Sequence, residues 1–169
     1  DLILIHRPPP SGTGKDLWQG LIRAKAEGIT KDIGISNYSA EQTQALLDAF
    51  DEKPVVNQIE WSPFGYSDKM QQYAEEHNII IQAYSPLTRA KRLDDKALQE
   101  IGSHYGKTPA QVLIRWNIQR GTVPLPKANQ PQHQEQNIDV FDFSLDREDM
   151  EQLNKLNEQY SSLGSLPYV

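Results

Sequence analysis

The sequence predicts an α/β fold built from part of a parallel (β/α) barrel. Five short apolar runs end abruptly in polar residues, with helical patterns between them: DLILIH (1–6), DIGISN (32–37), VVNQIE (55–60), IIIQAY (79–84) and TVPLPK (122–127). Apolar runs of this length are typical of buried parallel strands. Barrels of this kind carry their active sites at the carboxyl ends of the strands. The polar residues that follow the runs therefore predict an active-site rim.

Five strands are too few to close an eight-stranded barrel. A complete barrel typically needs about 250 residues, whereas this chain has 169 residues and starts inside its first predicted strand. We therefore expect a partial (β/α)8 TIM barrel of about five parallel strands, with the first three βα units absent. No low-complexity linker interrupts the sequence, which predicts a single incomplete domain over residues 1–169.

Helix start and stop signals lie between the first four strands. Asp16 is the predicted N-cap of a first helix that ends at Gly28. Ser39, followed three residues later by Gln42, has the capping-box pattern for a second helix. Apolar residues at helical spacing predict a third helix over 68–76.

Four more helices are predicted around the last strand. Two segments, 94–105 and 108–120, are separated by Gly106, and the second starts at Thr108–Pro109, where proline suits the first helical turn. Helices over 131–138 and 145–157 follow the last strand, the latter capped by Ser144 or Asp146.

The composition excludes several functional classes. Lys and Arg total 17 against 23 Asp and Glu, a net charge of −6 that argues against broad nucleic-acid or acidic-membrane binding. The chain has no cysteine, which excludes disulfides and thiolate chemistry and is compatible with a reducing compartment. No apolar run approaches the roughly 20 residues that span a bilayer. We expect a cytoplasmic protein without nucleic-acid or membrane partners.

Polar side chains on the apolar strands have a functional and a purely structural interpretation. A neutral imidazole at His6 can donate a hydrogen bond to a substrate carbonyl, or it can simply satisfy backbone groups at the strand end. The hydroxyl of Ser36 and the amides of Asn37 and Gln58 would match a ligand carboxamide. Mutual bonding inside the sheet is the alternative, because an unpaired buried polar group costs roughly 1–3 kcal/mol.

The last two strands carry an aromatic residue and a set of cations. Tyr84 can stack on a flat heterocycle, or it can be a core residue before a turn. The basic stretch 89–92 and Lys127 follow the last two strands, where such barrels commonly bind phosphate. A local anion site is one interpretation, and a solvated loop is the other. The sequence lacks dinucleotide and phosphate-loop glycine motifs, and its histidines lack metal-ligand spacing, so no metal is expected.

Taken together, the strand ends resemble the aldo-keto reductase superfamily. The matching stretches, in the family's order and approximate spacing, are DLILIHRP, GISNYS, VVNQIEWSP, IIIQAYSPL, TPAQVLIRWNIQRG and VPLPKANQPQHQEQN. The family is a (β/α)8 barrel that reduces aldehydes and ketones with a nicotinamide cofactor, usually NADPH, and without a metal. The resemblance therefore implies NAD(P)H-dependent reduction of a small carbonyl substrate to an alcohol.

The resemblance also implies roles for individual residues. His6 matches the family's catalytic histidine, while Arg7, which stands where the family usually has tryptophan, and Trp61 would line the substrate pocket. Cofactor binding is carried over to three groups: Ser36, Asn37 and Gln58 for the nicotinamide carboxamide, Tyr84 for stacking on its ring, and Ser85 and Leu87 for the pyrophosphate. Lys127 matches the lysine that pairs with the 2′-phosphate of NADPH.

This chain departs from the family's pattern at positions that would contact the adenosine part of the cofactor. The family commonly has serine, arginine and a Glu-Asn pair where this chain has Ala128, His133, Gln136 and Asn137. The missing hydroxyl and guanidinium would remove charge-assisted hydrogen bonds that are worth about 1.5–3 kcal/mol each. NAD is therefore an alternative to NADP as the cofactor.

The family's general-acid tyrosine and its lysine and aspartate partners come from strands that precede the one matching DLILIH. No residue of this chain matches them, so we expect little or no reductase activity from residues 1–169 alone. The alternative function is a non-catalytic half-barrel that binds a nucleotide or associates with a partner through its unpaired sheet edges.

Overall fold

The computed structural model describes residues 1–169 and has an α/β fold with five parallel strands. The strands are β1 Leu2–Ile5, β2 Asp32–Ser36, β3 Val56–Glu60, β4 Ile80–Tyr84 and β5 Val123–Leu125. They form one sheet in the order β1-β2-β3-β4-β5. Parallel neighbours need long crossover connections, and the helical stretches between the strands supply them. The predicted fold class is confirmed.

Seven α-helices are present. They are α1 Lys15–Ala26, α2 Ala40–Leu47, α3 Asp68–Glu76, α4 Lys96–Tyr105, α5 Pro109–Gln119, α6 Pro131–Ile138 and α7 Arg147–Asn154. Each coincides with a predicted helix, with ends that differ by a few residues at most. A short 3-10 helix at Thr88–Ala90, which the sequence did not predict, follows β4.

Side-chain caps define most helix starts. The Ser39 hydroxyl accepts a hydrogen bond from the Gln42 amide, and the Gln42 side chain accepts one from the Ser39 amide, so the predicted capping box is present. Thr108 and Gln111 form the same arrangement at the start of α5. Of the two candidates for α7, Asp146 is the cap.

The prediction that Asp16 caps α1 is wrong. Gly14 takes the left-handed conformation, with φ 73°, and its carbonyl oxygen already accepts a hydrogen bond from the Trp18 amide at 2.9 Å. The helix therefore starts at Lys15, and Asp16 lies in its first turn. A carboxylate there interacts favourably with the positive end of the helix dipole.

The chain divides into two compact units. The first comprises Asp1–Ile59, Ser67–Gln82 and Pro167–Val169, and the second comprises Glu60–Tyr66 and Ala83–Leu166. That residues 1–169 form a single domain stays a prediction.

The core of the first unit forms around β2. Ile33 and Ile35 are fully buried there and pack in one cluster with Ile5 of β1 and Trp18 of α1. The β1 and β2 strands pair with Ile3 opposite Ile33. Because the indole N–H of Trp18 donates to the Glu52 carbonyl at 3.1 Å, its burial leaves no polar atom unsatisfied.

The core of the second unit lies between α4 and α5. Leu98 and Ile101 of α4 and Leu113 of α5 are fully buried. Trp116 lies 5.3 Å from the Tyr66 ring, and its indole N–H donates to the Asn154 side chain at 2.8 Å. No helix in the structure is long and apolar enough to cross a membrane.

We predict that Gly34→Ala lowers the free energy of unfolding by about 1–3 kcal/mol, because overpacking of a filled site is destabilising. A Cβ at Gly34 would meet side-chain carbons of Leu4 and Val56 at 2.6 Å each. The matched control is Gly20→Ala in α1, where a Cβ has open space and should stabilise the helix by roughly 0.5–1 kcal/mol. Urea unfolding measures both, and equal stability of the two variants would contradict the packing argument.

Candidate active site

The register of β2 and β3 places two predicted site residues side by side. Ser36 is paired with Gln58. The Ser36 hydroxyl donates to the backbone carbonyl oxygen of Gln58 at 2.6 Å, and the backbone N–H of Asn37 donates to the same oxygen at 3.0 Å. Bonding inside the sheet, the structural alternative considered from the sequence, therefore occupies the hydroxyl proton of Ser36. Its oxygen still has a lone pair that can accept.

Asn37 joins the ends of β1 and β2. Its φ of 62° lies in the left-handed region, which asparagine tolerates better than most residues. The side-chain amide nitrogen donates to the His6 carbonyl oxygen at 3.0 Å and to the Ser36 hydroxyl at 3.1 Å. Both protons of that amide are thus held by the chain, which fixes the orientation of the Asn37 side chain. The His6 and Arg7 side chains follow β1 and are exposed.

Gln58 has a side-chain partner on the next strand. Its Nε2 donates to Oε1 of Gln82 in β4 at 3.0 Å, and both side chains are half-buried. From the sequence, Gln82 is only a polar residue in an apolar strand that needs a partner, and the structure identifies that partner.

In the second unit, a cavity of about 790 Å³ collects most of the residues predicted for the phosphate and adenosine parts of the cofactor. The predicted residues that line it are Ser85, Leu87, Lys127, His133, Gln136 and Asn137. They come from the loop after β4, the loop after β5, and α6. Arg89, Thr108 and Asn129 also line this cavity. We call it the basic cavity because Lys127 and Arg89 supply its cationic side chains.

The basic stretch after β4 is divided by the structure. Arg89 lines the basic cavity, whereas Lys91 does not. Arg92 forms an ion pair with Glu158, and its guanidinium lies 4.1 Å from the centre of the Phe64 ring. Lys127 forms no ion pair with the chain's own carboxylates. Of the cations predicted for a local anion site, Arg89 and Lys127 line the basic cavity, and the anion site itself stays a prediction.

The loop beside the basic cavity has an unusual backbone. Three successive residues, Thr88, Arg89 and Ala90, take φ values of 51°, 53° and 65°, and Ser85 takes 49°. Non-glycine residues rarely adopt positive φ, and such residues cluster at functional sites. No glycine or asparagine in this stretch signals the conformation, so sequence reasoning missed it.

The remaining predicted site residues lie elsewhere in the second unit. Ala128 lines a neighbouring apolar cavity of about 660 Å³, together with Ile138 and Phe141. Trp61 is fully buried, 5.8 Å from the Tyr66 ring, and its amide donates to the carbonyl oxygen of half-buried Tyr84. The substrate roles of Arg7 and Trp61 and the catalytic role of His6 stay predictions.

A buried carboxylate that sequence reasoning missed holds the C-terminal segment. Glu60, at the end of β3, is 3% exposed. Its carboxylate accepts hydrogen bonds from the Ser161 hydroxyl at 2.6 Å, the Ser162 amide at 2.8 Å and the Ser162 hydroxyl. These residues lie about a hundred positions apart in the sequence, so no local pattern could reveal the contact.

We predict that Glu60→Ala lowers the free energy of unfolding by about 1.5–3 kcal/mol, because it removes the charged acceptor of these bonds. It should also speed proteolysis of the segment 158–166. The control is Glu100→Ala on the exposed side of α4. Urea unfolding and limited proteolysis with mass spectrometry are the measurements. Unchanged cleavage in the Glu60 variant would contradict the anchoring role.

Comparison with known proteins gives a consistent family assignment. The model of the Aldo/keto reductase family matches residues 1–158. An aldo-keto reductase of Mycobacterium leprae is 41% identical over 159 residues, which cover 94% of this chain and 56% of that protein. The 2,5-diketo-D-gluconic acid reductase B of Corynebacterium is 38% identical over 158 residues, covering 92% of this chain and 57% of the relative.

A solved structure has the same fold. A variant of Gox0644 in complex with NADPH superposes with a TM-score of 0.92 at 36% sequence identity, covering 99% of this chain and 62% of the other. The chain thus spans less than two thirds of the length of each of these three proteins.

Proposed function

Because the chain belongs to the aldo/keto reductase family, we propose that it serves the NAD(P)H-dependent reduction of an aldehyde or ketone to an alcohol. The observation that carries this proposal is the basic cavity, which brings six residues predicted for the cofactor together. The cofactor, when bound, supplies the hydride. Residues 1–169 would supply the cofactor site and the histidine beside the substrate.

The basic cavity fits the phosphate and adenosine parts of a dinucleotide. Its volume of about 790 Å³ lies within the range of about 300–1,000 Å³ for small-molecule sites. Lys127 and Arg89 line it without being neutralised by a carboxylate of the chain, so they remain available to an anionic ligand. Cations that face a cavity and lack a partner are the chemistry that phosphate recognition requires.

The first unit fits the amide end of a nicotinamide cofactor. A carboxamide has one acceptor oxygen and one donor NH₂ group. Ser36 and Asn37, at the carboxyl end of β2, and Gln58, within β3, present hydroxyl and amide groups, and hydrogen bonds within the chain fix their positions. We propose that these three residues hold the carboxamide and that Tyr84 stacks on the nicotinamide ring.

His6 is the residue of this chain that we assign to the reaction itself. A neutral imidazole can donate a hydrogen bond to the substrate carbonyl and stabilise the negative charge that develops on its oxygen. The alkoxide also needs a proton, and within residues 1–169 we assign no general acid. We therefore expect little or no carbonyl-dependent oxidation of NADPH by this chain alone. Clear carbonyl-dependent oxidation of NADPH by a purified sample of residues 1–169, with its mass verified, would contradict that expectation.

We propose NADPH as the preferred cofactor, with NADH as the alternative. Lys127→Met should weaken NADPH binding at least 10-fold, because it removes a charge-assisted hydrogen bond worth about 1.5–3 kcal/mol, and should change NADH binding little. Titration of protein fluorescence with each cofactor measures the difference. Lys91→Met is the matched control, since Lys91 is exposed and does not line the basic cavity. Equal losses for both cofactors would overturn the assignment of Lys127 to the 2′-phosphate.

The assigned roles of Tyr84 and His6 separate in binding experiments. Tyr84→Ala should weaken cofactor binding more than His6→Ala, because stacking on the ring contributes to cofactor affinity, whereas the histidine acts on the substrate. The same fluorescence titration measures both variants. Equal affinities would contradict this division of roles.

A second candidate function, association with a partner through the sheet edges, has its own observation. The two outer strands expose large apolar side chains: Leu2 36%, Ile3 37%, Val123 43% and Leu125 40%. An outer strand with free backbone groups and apolar side chains is a template for pairing. We propose this surface as the association site for a partner. For the reductase function, the predicted cytoplasmic location is one in which small carbonyl substrates are present.

Association predicts concentration-dependent mass in sedimentation experiments. Ile3→Lys and Leu125→Lys should shift the chain to monomer, while Leu163→Lys, which alters an exposed residue outside β1 and β5, should not. A monomer at all concentrations would reject the edge association.

A further inference from the structure

We propose that Gln82 is a positioning residue that fixes the side-chain amide of Gln58 and so determines which atom of Gln58 meets the cofactor's carboxamide. The proposal rests on the proposed function, because it concerns the residues assigned to the nicotinamide end. Gln82 itself is not placed in contact with the cofactor.

The argument starts from the contact between the two glutamines. Gln58 lies in β3 and Gln82 in β4, and the two strands are neighbours in the sheet. The Nε2 of Gln58 donates to Oε1 of Gln82 at 3.0 Å. Both residues belong to the first unit, and both side chains are half-buried. A hydrogen bond at this distance in a partly desolvated place is strong enough to select one of the two orientations of an amide.

The remaining hydrogen-bonding capacity of Gln58 shows what this orientation does. Its backbone carbonyl oxygen accepts hydrogen bonds from the Ser36 hydroxyl and the backbone N–H of Asn37. In its side chain, one proton of Nε2 is held by Gln82, and Oε1 accepts no hydrogen bond from the chain. A glutamine amide has two donors and one acceptor atom. Gln58 therefore keeps its acceptor oxygen available for a ligand.

An available acceptor discriminates between the two ends of a carboxamide. The Oε1 of Gln58 can accept from the carboxamide NH₂ group. If Gln58 were rotated by half a turn, its own NH₂ would face that group, and neither could accept. By holding Nε2, Gln82 keeps the productive orientation populated before the cofactor arrives, which is preorganisation of a binding group.

Asn37 supports the same principle on the neighbouring strand. The His6 carbonyl oxygen and the Ser36 hydroxyl hold both protons of its side-chain amide. Two of the three residues assigned to the carboxamide are thus amides whose nitrogen is held by the chain. One of the two groups that hold Asn37 is a backbone carbonyl, which no substitution removes. The group that holds Gln58 is a side chain and can be removed by mutation.

The test compares Gln82→Met, which removes the acceptor, with Gln82→Glu, which keeps an acceptor and cannot donate. Binding is measured by fluorescence titration with NADPH and with its 3-acetylpyridine analogue, in which a methyl group replaces the NH₂ of the carboxamide. We expect Gln82→Met to weaken NADPH binding roughly 3- to 10-fold, the scale of one neutral hydrogen bond, and not to weaken binding of the analogue. Gln82→Glu should bind NADPH as the unaltered chain does.

A second readout does not need the cofactor. In the unliganded chain, the side-chain NH₂ resonances of Gln58 should exchange with solvent faster in Gln82→Met than in the unaltered chain or in Gln82→Glu. Gln72→Met is the matched control, because Gln72 donates a similar bond to Glu76 on the exposed surface of α3.

Each contrary outcome has a distinct meaning. Unchanged NADPH affinity in Gln82→Met overturns the positioning role while leaving the proposed function intact. An equal loss for NADPH and the analogue, or an equal loss in the Met and Glu variants, overturns it in favour of a purely structural role. Absence of NADPH binding by the unaltered chain overturns the proposed function and this inference together.

Discussion

The pairing of Ser36, at the carboxyl end of β2, with Gln58, in the middle of β3, is the constraint on which the candidate site depends. The backbone carbonyl oxygen of Gln58 accepts hydrogen bonds from both the Ser36 hydroxyl and the backbone N–H of Asn37. A shift of one residue in register would turn every side chain of a strand to the opposite face of the sheet. The side-chain amide of Gln58 would then lie on the opposite face of the sheet from the Ser36 hydroxyl. The position of the site is thus a consequence of sheet pairing.

Some lysines of the chain pair with its own carboxylates, whereas Lys127 remains available to a ligand. Lys25 contacts Glu52 at 2.7 Å, and this hydrogen bond raises the pKa of the lysine. Lys107 contacts Asp139 and Asp142, and its hydrogen bond to Asp142 lowers the pKa of that carboxyl group. Lys127, in contrast, lines the basic cavity without a carboxylate partner. In a chain with a net charge of −6, a cation without a partner is the feature that makes local anion binding possible.

Local patterns accounted for the secondary structure and failed where backbone conformation departs from the usual preferences. The capping box at Ser39 could be predicted from residue types at fixed spacing, because both partners lie within one helical turn. Asp16 was assigned as a cap because aspartate favours that position, but the left-handed Gly14 starts the helix earlier. The left-handed run that ends at Ala90 contains no glycine, so residue preferences alone could not predict it.

The sequence by itself determined the α/β class, the strand ends that carry polar residues and the family to which the chain belongs. These follow from apolar periodicity and from short motifs, both of which are local in the chain. Only the tertiary structure decided that Arg89 lines the basic cavity while Arg92 pairs with Glu158, and that Gln58 is held by Gln82. Such contacts depend on strand register and on the path of loops, which are set by packing between residues distant in sequence. The same residue types therefore become a ligand group or a structural group according to the neighbours that folding brings to them.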